Sequence, residues 1–344
     1  MYISILKNNL LKLLYPRWRN NRRLWKSGTT ALLMVPGDLP VFLRIGLDNC
    51  LKQDNSYLRE VIVVPDQSSP KFRTYYEEIK RQYTHHFKLQ IVALSPLEQL
   101  AANLFKSSAL NVWLQFMAGV NNCSTEYILW HDADAFITNQ RFFKTQQETM
   151  YDRSLYALGV NKAWDNWFSE NGLPHVVATW ELMMRMDWIL SFKPWQVKPH
   201  FTRINGNIHG CDMLYYAQSI TAPEKIGRIV DSKDDIIHFN WVISSYRNWQ
   251  NEKAKGLATL LRLFLIRLLV DSYDNSGWKC DVPPLIRLAR EIAVTDEKEK
   301  KQTNEFVNKL VELVESTCFN MDVRDKLMEG IMILRTRCSE IPRI

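Results

Sequence analysis

Residues 126–136 read Glu126-Tyr127-Ile128-Leu129-Trp130-His131-Asp132-Ala133-Asp134-Ala135-Phe136. A mostly apolar run enters two carboxylates at i and i+2. On a regular strand those side chains would point to opposite faces, so the chain must turn after Asp132 for both to meet one ligand. A turn at a strand end does this and leaves both acids beside whatever crevice the sheet offers. Two neighbouring acids favour a divalent cation, which cancels their repulsion and keeps positions open for phosphate oxygens. Taken alone, the tripeptide also fits a solvated loop following a buried strand.

The residues upstream tell the two apart. Residues 30–35 (Thr-Ala-Leu-Leu-Met-Val) form a buried-type strand that ends at Pro36-Gly37-Asp38, and a helix with an apolar face follows over 39–53. A strand at 61–64 is closed by Pro65 and Asp66, a polar helix spans 71–83, and a third strand covers 89–94. Residues 97–120 read as helix, in two pieces, before the strand at 127–130. Strands alternating with helices predict an α/β fold, a mainly parallel sheet with helices on both faces. Right-handed crossovers then bring the C-terminal strand ends to one edge, where such folds bind ligands. Three of those ends carry acids: Asp38, Asp66 and the pair Asp132/Asp134.

Residues 151–250 are irregular, rich in Trp and broken by Gly172, Pro174, Pro194 and Pro199. Beyond 251 the pattern turns helical, over 254–270, 284–294, 299–316 and 322–337. The expected organisation is a basic arm at 1–28, a catalytic domain at 29–250 and a C-terminal helical accessory region at 251–344.

The 344 residues are 46% hydrophobic and include 12 Trp, 13 Tyr and 15 Phe, which excludes wholesale disorder. The longest apolar run near a spanning length, 256–270, contains Arg262 and Arg267, so a polytopic membrane protein is excluded. Net charge is +7, and residues 1–28 carry seven cations with no acid, so the rest of the chain is balanced. In that arm Ile3, Leu6, Leu10 and Leu13 share one helical face. Such a segment can lie on an anionic membrane surface, or it can dock on the protein body ahead of a basic linker. No second basic cluster with interleaved aromatics supports a nucleic-acid partner. The six cysteines are widely spaced and lack a C-x-x-C pair, which reads as reduced thiols in a cytoplasmic protein. Peripheral attachment at the inner face of the membrane is a further expectation from the arm.

The segment Tyr127-Ile128-Leu129-Trp130-His131-Asp132-Ala133-Asp134-Ala135 resembles the DxD segment of GT-A fold glycosyltransferases, in particular the family 2-like group. The resemblance covers roughly residues 29–250. It implies a GT-A type fold, a nucleoside-diphosphate sugar donor, and Mn²⁺ or Mg²⁺ held on the donor diphosphate. Val61-Ile62-Val63-Val64-Pro65-Asp66 is similar to the family's second strand, whose terminal acid contacts the base. Pro65 and Gln67 stand where that pattern has an acid and a glycine. By position Pro36 matches the first-strand exit that flanks the base. Asp132 is implied on the ribose or a metal-bound water, and Asp134 on the metal.

Asp235-Ile236-Ile237-His238 matches the late His that completes the metal site in many such enzymes, and an imidazole in the set suits Mn²⁺ better than Mg²⁺. A strand-end His capping a core edge reads equally well from the residues. In Gly210-Cys211-Asp212, Asp212 is expected at the N-cap or first turn of a helix continuing over 213–218. The resemblance implies that Asp212 is the base that deprotonates the acceptor hydroxyl, with inversion; His209 is a second candidate, and an ordinary capping Asp is the plain alternative. Trp164, Trp167, Trp180, Trp188 and Trp195 offer faces for an acceptor sugar, although most Trp residues simply pack. The acceptor implied is a glycan or lipid-linked molecule.

Two other classes fit parts of the sequence. A haloacid-dehalogenase-like phosphatase would use Asp132 as nucleophile, with Lys233, Asp234 and Asp235 as its later motif. Against it, some 130 residues precede the pair, and Phe136 stands where Thr or Val is usual. A membrane-surface binding module with a decayed sugar-nucleotide site would bind liposomes without nucleotide affinity.

Overall fold

The computed structural model describes residues 11–13, 15–20, 24–66, 69–105, 107–229, 235–251, 256–273, 281–315 and 321–339. Its strands are, in chain order, β1 (Lys26–Val35), β2 (Leu58–Pro65), β3 (Lys88–Ile91), β4 (Thr125–Asp132), β5 (Ala135–Ile137), β6 (Ala157–Gly159), β7 (Glu181–Arg185), β8 (His200–Ile204), β9 (Asn207–Cys211), β10 (Ile226–Arg228) and β11 (Ile236–His238). The longer helices are α1 (Val41–Lys52), α2 (Pro70–Lys80), α3 (Pro96–Phe105), α4 (Ser108–Asn122), α5 (Phe142–Asp152), α6 (Val242–Gln250), α7 (Leu257–Tyr273), α8 (Leu285–Glu291), α9 (Glu297–Glu315) and α10 (Met321–Ser339). Contacts divide the chain into two units. The first holds 1–38, 53–133 and 141–232; the second holds 39–52, 134–140 and 233–344.

The first unit is built on a seven-stranded sheet of order β10-β6-β7-β4-β1-β2-β3. From Thr29 to Val35, β1 is buried at every position, without the alternation of a half-exposed strand. That is the signature of a strand covered on both faces, and β1 pairs in parallel with both β2 and β4. The expected mainly parallel α/β sheet is therefore present. Only β7 runs antiparallel, to β4 and β6. β6, β7 and β10 fall in the stretch that reads as irregular, because strands of three to five residues are too short to display a period.

Strand order runs outward from β1 through β2 to β3, then reverses to β4 on the other side of β1. The C-terminal ends of β1 and β4 thus flank a topological switch point, where open α/β sheets leave a ligand crevice. Helix α4 packs the sheet through Trp113, Leu114, Phe116, Met117 and Val120, all buried. Its Gly119 lies so close to Leu32 of β1 that a Cβ there would stand 2.5 Å from Cδ1. Ser107 caps α4 by accepting the Leu110 N–H, and Ser69 caps α2 by accepting that of Phe72, with Pro70 at the first helical position.

Residues 11–13 and 15–20 belong to this unit. Leu11 and Tyr15 are buried in its core, Trp18 Nε1 donates to the Phe192 carbonyl at 2.7 Å, and the Lys12 ammonium stands 4.6 Å from the Trp195 ring centroid. Leu13 of the apolar stripe is exposed. Ile3, Leu6 and Leu10 lie outside the described residues.

The second unit is organised around α7. Its sequence is apolar around nearly the whole circumference, the pattern of a helix enclosed on all sides, and it contacts α1, α6, α8, α9 and α10. Its two cations are handled differently. Arg267 pairs with Asp271, whereas Arg262 donates to the carbonyls of Asn240 and Ala258. The antiparallel pair β5–β11 completes this unit. Among the described residues no helix is long and apolar enough to cross a membrane.

Candidate active site

β4 ends at Asp132 and the chain turns over Ala133-Asp134 into β5, the turn that two acids at i and i+2 require. His238 arrives by strand register: in the β5–β11 pair His238 lies opposite Ala135, one residue from Asp134. The result is a His238 Nε2 to Asp134 Oδ1 separation of 3.1 Å, with the side chains 11% and 8% exposed. The other Asp134 oxygen accepts the Val242 N–H at 3.0 Å, at the first residue of α6. Burial alone would push the Asp134 carboxyl up. The His238 charge, its hydrogen bond and the Val242 N–H outweigh that and hold the group below the usual carboxylate range.

Asp132, two residues up the same turn, offers a third donor, and one ligand atom from each of Asp132, Asp134 and His238 lies within 4.8 Å of the others. Two donors 3.1 Å apart have the spacing of neighbouring octahedral vertices around a cation with bonds of roughly 2.2 Å. Two carboxylates and an imidazole are a donor set suited to Mn²⁺, and the residues present fit such an ion. Asp132 also accepts the Trp130 indole N–H at 2.9 Å, which fixes its carboxylate.

At the neighbouring strand ends, Pro36 is buried at the exit of β1. Asp66 follows β2, and its carboxylate accepts the Gly37 N–H at 3.0 Å, so one oxygen ties the first two strand exits together. Sequence reasoning missed Gln115. This buried amide on α4 donates to the carbonyls of Val35 and Val64, the last turns of β1 and β2. Its signal was a polar residue within the apolar run 112–117.

Asp212 is not a helix cap. β9 ends at Cys211, and the helix begins at Tyr215 behind Leu214, which is left-handed at φ 64°. Asp212 instead sits in the connecting turn. Oδ1 accepts the Met213 N–H at 2.7 Å and Oδ2 the Trp164 indole N–H at 3.1 Å. Trp164 is 70% exposed, so its ring stands in solvent beside this carboxylate. His209, the second base candidate, bonds Asp165 at 2.7 Å through Nε2 and stacks on Trp167 at 3.9 Å. Trp188 is buried, whereas Trp164 presents a free face.

Of the phosphatase motif, Lys233 and Asp234 lie outside the described residues. Asp235 bonds Asn139 at 2.7 Å and accepts the N–H groups of Thr138 and Asn139, which gives it a role in closing the β5 loop.

No protein-family model matches the chain, and no curated protein matches it. Among solved structures, residues 1–349 of S. aureus TarS are 12% identical, with 91% of this chain and 90% of that one covered and a TM-score of 0.40. The mannosyltransferase PcManGT from Pyrobaculum calidifontis, in complex with GDP-Man and Mn²⁺, is 11% identical, covers 97% and 91%, and has a TM-score of 0.39. The galactosyltransferase LgtC, in complex with donor and acceptor sugar analogs, is 10% identical, covers 49% and 62%, and has a TM-score of 0.37. Likenesses this low bear on neither substrate nor residue roles, which rest on the chain's own geometry.

Proposed function

We propose that this chain is a metal-dependent glycosyltransferase of the GT-A type, transferring a sugar from a nucleoside-diphosphate donor to a glycan or lipid-linked acceptor. The observation that carries the reading is the Asp134–His238 pair at 3.1 Å, with Asp132 in reach, directly after the strand that ends at Asp132. Asp134 and His238 hold the divalent cation, Mn²⁺ in preference to Mg²⁺, and Asp132 binds the ribose or a metal-bound water. Pro36 flanks the base, and Asp66 both braces the β1 exit and reaches the nucleoside. A cation bound there supplies positive charge against the charge that develops on the departing diphosphate.

Asp212 acts as the base. Its two hydrogen bonds aim the carboxylate, and it takes the proton of the acceptor hydroxyl as that oxygen bonds to the anomeric carbon and the bond to the diphosphate oxygen breaks. Attack from the face opposite the diphosphate inverts the anomeric centre. The exposed Trp164 ring gives the acceptor an apolar face to lie on. The phosphatase reading loses support, because Asp235 is committed to the β5 loop.

A thermal-shift screen of nucleoside diphosphates and sugar nucleotides, with and without Mn²⁺, tests the reading. Nucleotide and Mn²⁺ together should stabilise the protein beyond either alone. Asp134→Ala should lose that combined effect and all metal-dependent transfer. Full turnover by purified Asp134→Ala would refute the metal assignment, and phosphate trapped covalently on Asp132 would decide for the phosphatase.

A further inference from the structure

The helical second unit contains a cavity of about 180 Å³, walled by Phe239 and Asn240 on one side and by residues of α7 and α9 on the other. Two cations line it. Arg262 of α7 is half-buried; its Nε donates to the Asn240 carbonyl at 2.7 Å and its Nη1 to the Ala258 carbonyl at 2.9 Å. Lys309 of α9 donates to the His238 carbonyl at 3.0 Å. Both are thus held in place by neutral acceptors. Among the described residues neither makes an ion pair with a carboxylate, whereas Arg267, one turn and a half further along α7, pairs with Asp271. The one acid in the lining, Glu305, stands 4.0 Å from Lys301.

Two cations are thus fixed by carbonyls around a shared cavity; Glu305 and Glu312 act on Lys309, and Asp134 on Arg262, through space only, with no contact ion pair among the described residues. A phosphoryl group supplies the matching charge, and its oxygens take N–H donors from a guanidinium and an ammonium together. Gln302 and Asn240 also line the wall, and Phe239 and Phe306, in edge contact at 5.5 Å, close the apolar side. The segment 238–240 serves both places: the His238 ring faces Asp134, while the carbonyls of His238 and Asn240 hold the two cations.

We propose that Arg262 and Lys309 form a phosphoryl-binding pocket in the C-terminal helical region. The phosphoryl group can come from the donor's diphosphate, which rests on the transferase reading, or from a second phosphorylated ligand, which does not.

Binding of inorganic phosphate and of pyrophosphate to the full chain is measured by calorimetry in EDTA, against chloride at equal ionic strength. The wild type should bind pyrophosphate saturably. Arg262→Gln and Lys309→Gln should each weaken binding at least tenfold, with unchanged circular dichroism; Lys309 is at the exposed rim, so its variant tests the pocket without disturbing the core. Absence of binding by the wild type, or equal binding by both cation variants, overturns the proposal. Nucleoside diphosphate with Mn²⁺ then identifies the source. A parallel tenfold loss in the two variants places the donor's diphosphate in the pocket, and unchanged nucleotide affinity with lost pyrophosphate binding supports a separate phosphorylated ligand. Pyrophosphate binding without any nucleotide binding would sink the transferase reading and leave the pocket standing.

Discussion

Asp134→Asn keeps an oxygen where the Val242 N–H needs an acceptor and removes only the charge that faces His238. The two side chains are 3.1 Å apart and nearly buried. The Coulomb attraction of such a pair at an effective dielectric of 20 is about 5 kcal/mol before desolvation is subtracted. Desolvation of both groups offsets much of this, and contacting pairs retain coupling energies of about 0.5–3 kcal/mol. A double-mutant cycle of Asp134→Asn and His238→Gln, followed by urea unfolding in EDTA at pH 6, should therefore give a coupling of about 1–3 kcal/mol. Because the Asp134 carboxyl is held below its ordinary value, the unfolded chain binds more protons in the acid range. Stability from this group is present above about pH 4 and is lost as pH falls through the depressed native value. Manganese adds a second, separable term. A ligand at 100 times its dissociation constant stabilises by about 2.7 kcal/mol, a gain the wild type should show and Asp134→Asn should lack. Coupling below about 0.5 kcal/mol would refute the ion pair, and an equal Mn²⁺ gain in the variant would refute the ligand assignment.

Two predictions concern the first unit. Lys198 is 7% exposed, and burial, with Lys12 adding repulsion, pulls its ammonium down to about 8. Between about pH 8 and 10.5 the unfolded chain binds the extra proton, so wild-type stability rises with pH there, and at pH 7 the buried charge costs up to about 3 kcal/mol. Lys198→Met should stabilise the protein by about 1–2 kcal/mol at pH 7 in urea melts, with the gain fading above pH 10; no gain at pH 7 would show that the ammonium is satisfied where it sits. Gly119→Ala gains about 1 kcal/mol of helix propensity but places a Cβ 2.5 Å from a fully buried Leu32. Overpacking of about 1–3 kcal/mol should win, giving a net loss of about 1 kcal/mol, and a more stable variant would show that Leu32 yields freely.

What the sequence made legible follows from the reach of each physical signal. β1, β2 and β4 were readable because both faces are buried, which writes an unbroken apolar run, and their ends were marked by Pro36, Asp66 and Asp132. The approach of His238 to Asp134 needed the β5–β11 register, which three-residue strands do not announce; only the resemblance pointed to it. Asp212 was misread as a cap because Gly-x-Asp before a polar-apolar run imitates one. The left-handed Leu214 delays the helix by a turn, and left-handed backbone at a leucine has no local signature. Of the arm's stripe only Leu13 lies among the described residues; it is exposed, while Leu11 and Tyr15 face the body. Arg262 was visible only as a charge inside the apolar run 256–270, and Lys309 not at all. Each is an ordinary cation on a helix, and what distinguishes them is that packing brings both to the wall of one cavity, where carbonyls hold them.

The segment 238–242 shows how much the second unit gives up for this arrangement. Asn240 and Trp241 are both left-handed, at φ 41° and 62°, and neither is glycine. Left-handed backbone costs an L-residue on the order of 1–2 kcal/mol; Asn tolerates it better, Trp does not. Glycine would relieve the strain, yet this backbone sets three contacts at once. It turns the Asn240 carbonyl to Arg262, leaves the Trp241 ring 5.9 Å from that guanidinium, and brings the Val242 N–H to Asp134. The Asp134 bonds to Val242 and His238 offset that strain, so the same carboxylate that would carry the cation also locks the turn. The turn that brings the Val242 N–H to Asp134 also sets the Asn240 carbonyl against Arg262, so the two proposed sites share one strained pentapeptide.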